Sequence, residues 1–185
     1  MSTRAPSDHK DRYIHHKNGH DGYWIELINT FLNYIGSKRY PMAELYHSIF
    51  IRFEDENLWE VEGTFFELYE FIKSKGIGFG LISNWDLRLR GLLSRMRLLP
   101  YFDPVLISAE FGYEKPSLKI FQKAMELSGE SPENHIYVGD KPELDYYPPR
   151  KLGWNSFIIK TKRLPEDNSI QMISTLSELI HRIDW

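Results

Sequence analysis

The 185-residue sequence contains no cysteine, which excludes disulfides, thiolate metal sites and cysteine nucleophiles by inventory. Long apolar runs are also missing. Nothing approaches the ~20 residues a membrane-spanning helix needs, and the opening MSTRAPSDHKDRYIHHKNGH lacks the apolar centre of a secretory signal. Neither sign of charge dominates: 23 basic against 26 acidic side chains leave a formal charge of −3, too weak a field to hold nucleic acid or an anionic membrane surface. These absences predict a soluble, intracellular, cytoplasmic protein with neither nucleic acid nor membrane as partner.

What is present suits a globular chain, long enough to bury a core as one domain plus an appendage. Residues 1–20 are polar and without periodicity, and are expected as a mobile or irregular lead-in. His16 and His20 would share a helix face there, but without a third ligand a solvated tail is the stronger reading. Across 21–57, Trp24, Leu27, Ile28, Phe31, Leu32 and Ile35 recur at helical spacing up to Gly36, and a second helix is expected after Pro41 with Leu45, Ile49 and Phe53 on one side. With no strand between them, these helices read as a partial cap.

From residue 58 to 185 the pattern alternates. GTFFELYEFIKSKG predicts a helix with Thr64 as N-cap, Glu67 completing a capping box and Gly76 past the end. IGFGLISN, PVLIS, HIYVG and SFIIK read as four short apolar strands. Helices between them, and a last helix over 170–183, imply parallel pairing in an α/β sheet covered on both faces.

Ligands collect at the carboxyl ends of such strands. There the sequence offers Ser83, Asn84, Trp85 and Asp86, then Lys115 beyond EFGYEKP, then Gly139, Asp140 and Asp145. A hydroxyl, an ammonium and two carboxylates on one edge suit phosphate plus Mg²⁺: Ser83, Asn84 and Lys115 as phosphate ligands, Asp140 and Asp145 as hard oxygen donors, Gly139 letting the turn approach. Each residue alone has a plain structural explanation, as a turn, a cap or a solvated charge. Arg88, Arg90, Arg95 and Arg97 likewise read as a solvated basic face rather than an RNA-binding strip.

LISNWD, GYEKPSLKIF and YVGDKPELD, in that order, resemble the second, third and fourth motifs of the haloacid-dehalogenase-like (HAD) hydrolase superfamily. The resemblance implies a Rossmann-like core under a cap and a Mg²⁺-dependent phosphohydrolase acting on a small phosphorylated molecule, with Lys115 as the catalytic-site lysine. The superfamily's first motif, a strand ending in Asp-x-Asp-x-Thr that supplies the nucleophile, is not found: Asp8 and Asp11 follow no apolar run, and FEDENLW around Asp55 has the wrong spacing. The resemblance also implies that the absent strand is the central one, between the strands ending at Ser83 and Gly139. The chain is therefore expected to be a shortened hydrolase, inactive as it stands. The alternative is a non-catalytic binding or regulatory module that keeps the phosphate and Mg²⁺ pocket. For the strand gap three outcomes are open: direct pairing of the two flanking strands, a strand from a partner or homo-oligomer, or truncation.

Overall fold

A computed structural model describes residues 8–37, 42–161 and 169–183, apart from the side chains of Met42 and Ala43. Pro41, after which the sequence predicts a helix, lies outside the described residues. The chain opens with irregular turns over 8–18. Most of their residues are exposed, but two anchor them: Asp11 is fully buried, Tyr13 nearly so, and Lys10 bridges Tyr113 antiparallel. Asp11 shapes the turn by accepting from the Tyr13 and Ile14 amides at 2.9 and 3.0 Å.

Two helices follow, α1 (Gly19–Tyr34) and α2 (Met42–Glu54). They meet through aromatic rings, Trp24 lying 5.9 Å from both Phe50 and Phe53. Next comes α3 (Phe65–Ser74), whose Phe65, Leu68 and Ile72 are buried at helical spacing. Gly76, at φ +71°, closes it. The expected capping box does not form: the Thr64 hydroxyl donates to Glu62 at 2.8 Å and accepts from the Ser177 amide at 3.0 Å. A tertiary partner has displaced the local one.

The α/β unit contains β1 (Leu81–Ser83), α4 (Leu89–Arg95), β2 (Val105–Ile107), α5 (Ser108–Phe111), α6 (Leu118–Ser128), β3 (Ile136–Gly139), a π-type turn over 142–146, α7 (Tyr147–Lys151), β4 (Asn155–Ile159), β5 (Met172–Ile173) and α8 (Leu179–Arg182). The helix expected over 170–183 is instead β5, a single 3₁₀ turn and the short α8. The free edge of β4 offers Ile170 and Ile173 a buried seat and a ladder, which outweighs their helical spacing.

All described strand pairs are parallel, but they form two sheets, β1-β2 and β3-β4-β5, with no ladder between β1 and β3. Direct pairing of the two flanking strands is therefore not what forms. The sheets still share one layer. On one face α3 packs over both, with Phe79 and Leu176 touching the cluster of each. On the other, Ile120, Phe121 and Ala124 of α6 join Ile82 and Leu106 to Tyr137 and Trp154. Side-chain layers, rather than a backbone ladder, join the halves.

Candidate active site

The carboxyl ends of β1 and β3 and the loop before α6 come together around Lys115. Its Nζ donates to Asp145 Oδ1 at 2.6 Å and to the Tyr137 hydroxyl at 2.9 Å, and its third N–H has no partner among the described residues. Asp145 is buried, and its Oδ2 accepts from the Asp140 and Lys141 amides at 3.2 and 3.0 Å. The π-type turn over 142–146 carries Asp145 back onto the end of β3. This return requires glycine at 139, because a Cβ there would lie 2.3 Å from Asp145 Cβ and Cγ.

Burial opposes the Lys115 ammonium, but the Tyr137 oxygen and the Asp145 carboxylate outweigh it and hold its pKa above the ordinary lysine value. Burial likewise pushes the Tyr137 hydroxyl up to about 12. Tyr137 therefore keeps its proton at neutral pH and donates it to the Ile82 carbonyl at 3.2 Å. The sequence reading missed Tyr137. The available signal was a polar-tipped aromatic inside the apolar run HIYVG, which needs a partner when buried.

Asn84 ties the first strand end to the lysine: its Nδ2 donates to the Lys115 carbonyl at 2.8 Å and its Oδ1 accepts the Lys115 amide at 2.7 Å. Its amide thus positions Lys115. Ser83, the last residue of β1, is half-buried, and its hydroxyl has no partner among the described residues. It is free to meet an incoming oxyanion. Asp140 follows β3 with an exposed carboxylate, also unpartnered among the described residues.

As a metal site, this set is sparse. Among the described residues no group of three or more acidic or histidine side chains is placed to hold an ion. Asp140 and the remaining lone pairs of Asp145 fit a Mg²⁺ that keeps most of its waters, not one caged by protein oxygens.

Beside the site, Asp86 is fully buried and joins the loop to the cap. It accepts from Arg88 Nε and Nη2 at 2.9 and 2.6 Å and from Trp24 Nε1 at 3.2 Å, with His20 Nε2 at 3.3 Å. Burial alone would raise its pKa, but Arg88 brings it below the usual carboxylate value. Arg90 pairs with Glu110, and Arg95 with Glu54 and Glu56. The arginine series is mostly neutralised in place.

A family model described as haloacid dehalogenase-like hydrolase matches residues 12–159. The chain belongs to this family. Human haloacid dehalogenase-like hydrolase domain-containing protein 3 is 29% identical over 138 residues, covering 74% of this chain and 55% of that protein. Glyceraldehyde 3-phosphate phosphatase of Methanocaldococcus jannaschii is 32% identical over 114 residues, covering 59% and 50%. The chain thus spans about half the length of these relatives. In fold, this HAD chain resembles the HAD-hydrolase YfnB of Bacillus subtilis, solved bound to magnesium, with a TM-score of 0.72, 19% identity and coverage of 89% and 73%. The α/β Rossmann-like core expected from the motifs is the fold observed.

Proposed function

We propose that this HAD chain carries the phosphate-recognising half of a phosphohydrolase acting on a small phosphorylated molecule. The observation that carries the reading is Lys115: a buried ammonium with two partners and one open N–H, anchored by Asn84 one residue beyond the free Ser83 hydroxyl. Such a cationic, preorganised donor set stabilises phosphoryl oxygens. The jannaschii relative, named for dephosphorylating a sugar phosphate, agrees with that class. Mg²⁺, held through Asp140 and Asp145, would neutralise phosphoryl charge when bound, as expected of the family.

The 185 residues contain no apolar strand ending in Asp-x-Asp, the motif expected to supply the family's nucleophile. Binding without turnover is the expected behaviour of this chain, and the second reading, a non-catalytic module that keeps the pocket, rests on the same feature.

The test of phosphate recognition, which both readings require, is binding of inorganic phosphate by calorimetry, run beside hydrolysis of a generic phosphate monoester with and without Mg²⁺. Lys115→Met should abolish phosphate binding, and no wild-type turnover should be seen. Mg²⁺-dependent turnover lost in Asp140→Asn would show that another carboxylate acts as nucleophile. A folded wild-type protein that ignores phosphate would refute the proposal.

A further inference from the structure

The cap and the α/β unit meet at Asp86 and Arg88, in the loop that leaves β1 just beyond Ser83 and Asn84. Among the described residues no backbone hydrogen bond joins α1 or α2 to the α/β unit, so side chains make the joint. Arg88 stands at its centre. Its Nε and Nη2 hold Asp86 at 2.9 and 2.6 Å, and its Nη1 donates to the Phe50 carbonyl at 3.3 Å. The guanidinium carbon lies over the Phe50 ring, 3.7 Å from its centre, and 5.8 Å from that of Trp24. Trp24 and His20 close on Asp86 from α1.

The charges of this joint are divided unevenly. Asp86 and Arg88 both belong to the α/β unit and neutralise each other there, two residues apart. The cap brings an indole N–H, an imidazole, an aromatic face and a carbonyl. When the cap leaves, neither Asp86 nor Arg88 is stranded, and water can replace what is lost. The turns over 8–18 are fastened in the opposite way. Arg12 pairs across the boundary with Glu114, at 2.7 and 2.8 Å. The Asp11 N–H donates to the Gly112 carbonyl and the Glu114 N–H to the His9 carbonyl, at 2.9 and 3.0 Å. Separation there would leave the buried Glu114 without its cation. The turns are a fixed root beside Lys115, and α1 with α2 is the docked part.

We propose that Arg88 is a positioning residue for the cap: paired in advance with Asp86, it presents a flat cation on which Phe50 and Trp24 seat, and so sets where α1 and α2 stand relative to Ser83 and Lys115. Lysine cannot replace it, because one planar group must grip a carboxylate along its edge and carry a ring on its face. This inference rests on the contacts of the joint and is independent of the phosphate reading.

The test uses the full chain, whose lack of cysteine allows spin labels at Asn33→Cys on α1 and Gln122→Cys on α6, both exposed. Pulsed electron paramagnetic resonance then reads the distance between cap and core in folded samples. The labelled parent should give one narrow distribution. Arg88→Lys and Phe50→Leu should each at least double its width, and Phe50→Tyr, which keeps the ring, should leave it narrow. Phe50→Leu retains the Asp86–Arg88 pair, so it decides the matter if the Arg88 variant does not fold. Unchanged width in Phe50→Leu would overturn the proposal. So would a parent distribution already as broad as those of the variants, since the cap would then not be seated on Arg88.

Discussion

The inner strands β1 and β3 and the outer strands β2 and β4 have similar sequences and different environments. LIS and IYV are short, mostly apolar runs like VLI and FII, differing by Ser83 and Tyr137, yet Ile107 and Ile158 are fully enclosed while no residue of β1 or β3 is. The difference lies in neighbours: β4 has strands on both sides, and β2 has β1 on one side and the helical cover over its faces, whereas the inner pair looks into a slot. Beside the carboxyl ends of these inner strands stands Lys115, its ammonium tied to Asp145 and Tyr137. Asp145 and Tyr137 compensate locally for a ladder that is not there.

The largest expected effect attacks that tie. Asp145→Ala leaves the Lys115 ammonium buried without its counter-ion and should cost about 3–5 kcal/mol in urea unfolding. Adding Lys115→Met should recover much of the loss, giving a strong coupling in the double-mutant cycle. Independent, additive losses would mean that the pair does not act as a unit.

The strands can be compared directly. Ile107→Ala should cost about 2–5 kcal/mol as a fully enclosed side chain, and Ile82→Ala roughly half as much, because part of its surface is already wet. Equal unfolding costs would show that the slot is closed in solution.

Gly139→Ala tests the return of the turn. Its Cβ would collide with Asp145, and overpacking of this kind costs about 1–3 kcal/mol. A variant as stable as wild type would place Asp145 elsewhere.

The smallest expected effect is confined to the cap side of β1. Asp86→Asn weakens the Arg88 and Trp24 contacts, by about 1–3 kcal/mol at neutral pH. Because the folded pKa of Asp86 is depressed, its charge contributes stability above the unfolded carboxylate value of about 4 and loses it as pH falls through the folded value. The gap between wild type and variant should therefore narrow below about pH 4 in unfolding curves, and a gap constant with pH would refute the assignment.

Much was legible before the fold. Strand ends at Ser83 and Gly139, the helix ending at Gly76, and the gathering of Lys115, Asp140 and Asp145 on one edge all follow from apolar spacing and turn chemistry, which act over a few residues. Asp86 was visible at a strand end, but not its partners Arg88, Trp24 and His20. Thr64 kept its place at a helix start and lost its predicted bond to Ser177.

What the sequence by itself determined is the identity of the local elements, their parallel order and the inventory of the site, because periodicity, caps and the absence of Asp-x-Asp are properties of neighbouring residues. Only the tertiary structure decided that the sheet divides between β1 and β3, that Tyr137 joins Lys115, and that residues 170–183 begin with a strand. Each of those outcomes depends on hydrogen-bond partners and burial supplied by segments distant in the chain, which no local pattern encodes.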